Sequence, residues 1–278
     1  MNKNVIFFSI SKIMQNIVIK EKIRLALVQV DIAWEDKKKN LEVYTKMLLG
    51  AKAKPDLIIL PEMFQTGFTL TNVTMAEGEG GMTIQWMRDM AKQCNAVITG
   101  SIMFSDKNKL FNRLIWMEPS GEWQYYDKRH LFSVSGENIH FTSGHERQIF
   151  NLCGWKILPL ICYDLRFPVW SRNSCNYDLL IYCANWPASR QFVWDILLTA
   201  RALENQAFVC GVNRTGADMN NISYKGGSVI INPHGEKILT FRENEEDIKT
   251  CSVSKQELTE CREKFPVLKD RDEYQLIL

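Results

Sequence analysis

Four stretches of this chain are of strand length and almost wholly apolar: IRLALVQVDI at 23–32, DLIIL at 56–60, WKILPLI at 155–161 and DLLIYCA at 178–184. A strand that is apolar on both faces must be covered on both faces, so other elements have to lie above and below it. Helical stripes supply the cover. Asn40–Lys52 carries Leu41, Val43, Tyr44, Met47 and Leu48 on one side, and Thr83–Cys94 and Gln191–Gln206 read as further helices. Strands are predicted at Ala96–Phe104, Leu110–Met117, Gly121–Tyr126, Ala207–Asn213 and Lys249–Val253. Gly226–Asn232 and Lys237–Phe241 flank Pro233-His234-Gly235-Glu236 as a hairpin, Pro168–Ser174 is a short helix, and a helix near Lys255–Lys264 closes the chain. Strand–helix alternation interrupted by hairpins predicts an α/β layered fold over an all-parallel sheet.

DLIILPE at 56–62 and DLLIYCANW at 178–186 echo each other, each an Asp, an apolar strand and polar groups at its C-terminal end. The echo suggests two similar halves around a common core. With no Gly/Ser/Pro-rich linker between them, 23–278 reads as a single domain. Residues 1–22 read as an N-terminal extension, since their apolar run is short, Lys12 interrupts it and no small-residue cleavage site follows.

Composition excludes several classes. Lys and Arg number 34 against 32 Asp and Glu, a net charge of +2 that gives no field for holding nucleic acid. No segment is long and apolar enough to suggest a membrane span. The eight cysteines, at 94, 153, 162, 175, 183, 210, 251 and 261, form no C-x-x-C pair, which argues against zinc and against a disulfide framework. They suit a reducing, cytoplasmic compartment. GEGG at 78–81 lacks the Lys-Ser/Thr of a phosphate loop, the charged run at 242–247 reads as a solvated turn, and KDRDEY at 269–274 as a solvated end, with packing across a dimer interface as the alternative.

Three residues stand just beyond apolar strands. Cys162 ends WKILPLI, where an elbow presents a side chain and backbone N–H groups at a strand end, and the helix predicted from Pro168 would favour its thiolate. Glu62 follows Leu60-Pro61, a costly place for a carboxylate without partners. Lys128 lies in YYDKRHLF. Taken singly, each also reads as something plainer: a core cysteine, a loop carboxylate and a surface charge.

The three are 66 (128 − 62) and 34 (162 − 128) positions apart, in LPEMFQTGF (60–68), YDKRHLF (126–132) and LICYDLRFP (160–168). Together with ANWPASR (184–190) and ARALENQAFVCGVNRTG (200–216), this pattern resembles the nitrilase, or carbon–nitrogen hydrolase, superfamily from about Ile23 to Tyr274. The resemblance implies a four-layer α-β-β-α sandwich and a catalytic triad of Glu62, Lys128 and Cys162. It also implies Glu137, in GENIHFTSG (136–144), as a second glutamate steadying the lysine, a homodimer, and no metal or organic cofactor. Among the superfamily the chain is most similar to the omega-amidase branch, through PEMFQTGFT (61–69), CYDLRFP (162–168) and ANWPASRQFVW (184–194).

The expected substrate is then a small amide of the 2-oxoglutaramate or 2-oxosuccinamate type, split through a Cys162 thioester. Its distal carboxylate needs a cation, for which Arg166 is the candidate, with a structural ion pair as the alternative. Phe64, Phe132 and Trp186 are candidate walls, with core packing as the alternative, and the Tyr163 backbone N–H is a candidate oxyanion donor. Other readings are a hydrolase of N-carbamoyl compounds, aliphatic amides or nitriles, and a catalytically idle binding protein on the same fold. A Cys–His mechanism competes, but none of His130, His140, His145 and His234 directly follows a buried strand.

Overall fold

The structure is a computed structural model describing residues 19–276. Two six-stranded sheets face each other. The first contains β1 (Lys22–Gln29), β2 (Leu57–Ile59), β3 (Val97–Asp106), β4 (Lys109–Met117), β5 (Trp123–Asp127) and β14 (Asp247–Ser254), in the order β14-β1-β2-β3-β4-β5. The second contains β6 (Phe150–Leu152), β7 (Trp155–Ile161), β8 (Leu179–Ala184), β9 (Phe208–Asn213), β12 (Val229–Ile231) and β13 (Lys237–Thr240), in the order β13-β12-β9-β8-β7-β6. A small hairpin, β10 (Thr215–Ala217) with β11 (Ser223–Lys225), stands apart from both.

Side-chain alternation along the strands explains the layers. Leu25 and Leu27 of β1 and Leu57 and Ile59 of β2 join the residues of the second sheet in one core. Ala26, Val28 and Ile58 point the other way, against Tyr44 and Leu48 of α1 (Lys37–Gly50) and Ile84 and Met87 of α2 (Met82–Cys94). The second sheet's outer face is covered by α5 (Gln191–Asn205) through Trp194, Leu198 and Ala202. Helix, sheet, sheet, helix is the four-layer sandwich, in a single domain. Two four-residue helices, α3 (Glu137–His140) and α4 (Pro168–Ser171), lie near the strand ends, and α6 (Lys255–Lys264) follows β14.

The echoed segments occupy equivalent places. β2 is the middle of three parallel strands, β1-β2-β3, and β8 the middle of β7-β8-β9. Asp56 accepts from Arg24 N at 2.8 Å through its carboxylate, and its carbonyl accepts from Val97 N at 3.0 Å. Asp178 does the same with Lys156 N at 2.8 Å and Phe208 N at 3.0 Å. Each aspartate therefore starts a central strand by clamping both neighbours.

Two boundaries differ from the sequence reading. Residues 1–18 of the expected extension lie outside the described residues, but Lys20 and Glu21 already belong to the domain. The Lys20 carbonyl accepts from Trp155 Nε1 at 3.0 Å, and Glu21 accepts from Gln256 N at the start of α6. The tail at 269–274 is not simply solvated, because Tyr274 donates to the Val169 carbonyl at 2.9 Å.

Close approach of α5 to β9 depends on Gly211, where a Cβ would meet Leu198 Cδ1 at 2.6 Å and Trp194 Cζ2 at 2.7 Å. Gly211→Ala is expected to cost about 1–3 kcal/mol of stability. The denaturant midpoint, at unchanged slope, measures it.

Candidate active site

The polar residues beyond the parallel strands meet in one cleft of about 260 Å³, lined among others by Glu62, Lys128, Cys162 and Asn185. Glu62 follows β2, Lys128 follows β5, Cys162 follows β7, and Asn185 follows β8. Strand ends of an α/β sheet are where a ligand site is expected. Four segments remote in sequence thus share one end of the sandwich.

Lys128 is buried between two buried carboxylates. Its Nζ donates to Glu62 Oε1 at 2.8 Å and to Glu137 Oε2 at 2.9 Å. Burial works against the ammonium, but Glu137 and Glu62 outweigh it and raise the Lys128 pKa, so the group stays protonated. Burial pushes the Glu137 carboxyl up, and Lys128 opposes that push. Asn112, on β4, donates through the same Nδ2 to Glu62 Oε1 at 2.8 Å and Glu137 Oε1 at 3.0 Å. Glu137 Oε2 also accepts from Phe132 N at 2.6 Å, and Glu62 Oε2 from Asn185 N at 2.9 Å.

Cys162 sits at a strained elbow. Its φ is +41°, a left-handed conformation that costs a non-glycine residue about 1–2 kcal/mol. Asp164, fully buried, holds the elbow through Ile161 N at 3.1 Å, Tyr126 OH at 2.7 Å, and His130 N and Nδ1 at 3.0 and 2.8 Å. The Cys162 segment and the Lys128 segment are therefore tied through one carboxylate.

The thiol does not behave as the sequence suggested. Residues Cys162–Arg166 form a 3₁₀ turn and α4 is only four residues long, so no helix of useful length points its N-terminus at the sulfur. Burial pushes the Cys162 thiol well above the usual cysteine range, Glu62 pushes it further, and Lys128 only partly opposes them. Burial and the neighbouring Glu62 carboxylate therefore disfavour the Cys162 thiolate.

Of the other expected residues, Tyr163, Arg166, Phe132 and Trp186 line the cleft. Arg166 forms no ion pair among the described residues and lies 5.1 Å over the Trp186 ring. Phe64 is not a wall. Met63 has φ +42°, which turns the chain so that Phe64 enters the core between Tyr44 (5.4 Å) and Trp86 (5.8 Å). Phe68 takes the wall position, with Lys128 Nζ 5.2 Å from its ring centroid. His130 stacks on Phe167 at 3.7 Å and serves the elbow rather than lining the cleft.

Sequence reasoning missed Asn112, Asn185, Asp164, Phe68, Arg190 and the Asp218/Tyr224 hairpin. An asparagine inside the apolar strand LFNRLIWM was the available signal for Asn112, and a carboxylate two residues past Cys162 was the signal for Asp164. Among the described residues, no group of three or more His, Cys, Asp or Glu is placed to hold a metal ion.

Known proteins match this chain over nearly its whole length. Residues 24–263 fit the carbon–nitrogen hydrolase family model. The omega-amidase YafV of Escherichia coli K12 is 44% identical over 254 residues, 91% of this chain and 98% of that protein. The 2-oxoglutaramate amidase of Bacillus subtilis 168 is 33% identical over 251 residues, 88% of this chain and 96% of that one. The crystal structure of XC1258 from Xanthomonas campestris, a CN-hydrolase superfamily protein with an arsenic adduct in its active site, gives a TM-score of 0.90. It is 40% identical and covers 92% of this chain and 100% of its own.

The geometry makes a directional prediction. Glu62→Gln removes a negative charge that raises the thiol, so the inflection of Cys162 alkylation with pH is expected to move down. Peptide-resolved iodoacetamide rates from neutral to alkaline pH measure it, and an upward move contradicts the electrostatics.

Proposed function

The chain belongs to the carbon–nitrogen hydrolase family, and from that premise we propose that Glu62, Lys128 and Cys162 carry its chemistry, with Glu137 positioning Lys128. The protein is an amidase of small omega-amides, the activity that its YafV and 2-oxoglutaramate amidase relatives are named for. One observation carries the residue assignment: a thiol, a carboxylate and a protonated lysine line the same small cleft.

The steps follow from the charges. An amide is a weak electrophile with a poor leaving group, so dividing the reaction through a thioester lowers each barrier. Glu62 takes the thiol proton as Cys162 Sγ bonds to the amide carbon. Negative charge moves to the carbonyl oxygen, where the Lys128 ammonium and the Tyr163 backbone N–H receive it. Loss of one such donor costs about 2.7–4 kcal/mol of barrier. Glu62 then gives its proton to the nitrogen, the C–N bond breaks and ammonia leaves. Water enters, Glu62 takes its proton, and the resulting hydroxide attacks the thioester. The C–S bond breaks, Glu62 returns its proton to the Cys162 sulfur, and the carboxylic acid product leaves and gives its proton to solvent.

Arg166 would face the distal carboxylate, and Phe132, Trp186 and Phe68 would form the apolar walls. A cleft of about 260 Å³ suits a short acid of this kind. The proposal includes a cytoplasmic location, in keeping with cysteines that lack paired spacing. No described helix is long and apolar enough to cross a membrane. It also includes a homodimer, supported by the exposed apolar side chains Val169, Phe192, Ile196, Leu203 and Phe265. Phe192→Glu is expected to shift the sedimenting species towards monomer.

Steady-state assays test the chemistry. Wild type is expected to release ammonia but no carbon dioxide from 2-oxoglutaramate and 2-oxosuccinamate, and Cys162→Ser to lose at least about 1000-fold in kcat. Faster turnover of N-carbamoyl-β-alanine or a nitrile, or undiminished activity in Cys162→Ser, would reject the proposal.

A further inference from the structure

Two guanidinium groups line the cleft, and neither has a side-chain hydrogen bond or ion pair among the described residues. Arg166 lies over Trp186 at 5.1 Å, and Arg190 lies over Phe132 at 5.4 Å. Both are partly buried. A cation held against an aromatic face and lacking a carboxylate in a half-enclosed site is a receptor for an anion.

Arg190 is also fixed from behind. Trp186 Nε1 donates to the Arg190 carbonyl at 2.8 Å, while the face of the same indole carries Arg166. Trp186 N accepts no freedom either, since it donates to Asn213 Oδ1 at 2.8 Å. One buried tryptophan therefore sets the positions of both cations. Phe132, under Arg190, is held through its N–H to Glu137.

Apart from Glu62, the carboxylate lining the cleft is Asp218, and its oxygens are occupied. Oδ1 accepts from Asn220 N at 2.9 Å and Ile222 N at 3.0 Å, and Oδ2 from Tyr224 OH at 3.0 Å. Among the described groups lining the cleft, the two arginines are cations without a carboxylate partner, and Asp218 has no free oxygen to offer them.

We propose that Arg190 is a second specificity-determining residue, which grips the distal carboxylate jointly with Arg166 and selects 2-oxo acid amides against 2-amino acid amides. A 2-oxo group beside the carboxylate adds an acceptor for the paired forks. A 2-ammonium in its place meets two cations with no carboxylate to balance it. The inference rests on the omega-amide reading and adds to it the residue and the charge logic of selection.

The test is steady-state kinetics of wild type, Arg190→Met, Arg190→Lys and Arg166→Met on 2-oxoglutaramate, glutamine and butyramide. In Arg190→Met the KM for 2-oxoglutaramate is expected to rise about 10- to 100-fold, with kcat falling less. Its kcat/KM preferences for 2-oxoglutaramate over butyramide and over glutamine both fall, and Arg190→Lys recovers part of each. Wild-type preferences retained in Arg190→Met overturn the role of Arg190 while leaving the omega-amide reading in place. A wild-type enzyme that cleaves butyramide but not 2-oxoglutaramate overturns that reading and this proposal with it.

Discussion

A lysine buried between two glutamates is the constraint on which the rest of the site is built. Taking a lysine and two carboxyl groups out of water is expensive, and the cost is offset only when each is paired and hydrogen-bonded. Lys128 meets Glu62 and Glu137 at 2.8 and 2.9 Å, and Asn112 completes both carboxylates through one amide nitrogen. The cluster comes from three separate parts of the chain: the end of β2, the β4–β5 pair with the segment after it, and α3. It can form only when the first sheet and the loops at its end are in register. Fold and site are thus stabilised by the same contacts, and the cleft stays polar at its floor although the sheets around it are apolar.

The second constraint is strain. Met63 and Cys162, one directly after Glu62 and the other at the end of β7, both take left-handed backbone conformations, φ +42° and +41°. Such conformations persist only where surrounding bonds fix them. At Met63 the fixing bonds are Met63 N to Ser101 Oγ at 3.0 Å and Gly67 N to the Met63 carbonyl at 2.8 Å. At Cys162 they run through Asp164 to Tyr126 and His130, and Trp170 Nε1 supports Tyr126 OH at 2.9 Å. Reversal of the chain at each point turns the neighbouring side chains apart, so Glu62 faces the cleft while Phe64 enters the core.

This is why the sequence was legible for the frame and less so for the walls. Apolar strands that run up to Glu62 and Cys162 announce themselves, because burial on both faces leaves no room for alternation. The Asp56 and Asp178 echo likewise reports a real equivalence in the two sheets. Phe64 illustrates the limit, since a spacing of two from Glu62 suggests a shared face, and only the positive φ at Met63 shows otherwise. Arg190 was hidden for a different reason. Its place depends on Trp186 and on Phe132, 58 positions away (190 − 132), and no local pattern encodes an indole that holds one arginine by its face and another by its nitrogen.

The proton inventory of the cleft narrows the chemistry further. Lys128 is held protonated by its two carboxylates and cannot act as a base. Burial and Asp218 raise the Tyr224 hydroxyl far above the range in which it would release a proton. Asp218 is engaged by three donors, and guanidinium groups do not deprotonate in proteins. Burial and Glu62 disfavour the Cys162 thiolate. In the proposed mechanism Glu62, which accepts from Lys128 Nζ at 2.8 Å, is the group that receives the thiol proton. A neutral thiol is also a poor target for stray electrophiles, since the thiolate is the reactive form. In the proposed mechanism, reactivity is created at the moment an amide carbonyl lies against Lys128, because charge leaving the sulfur has a fixed cation to move towards. Coupling of thiol deprotonation to substrate position follows from the same ion cluster that holds the fold together at this end.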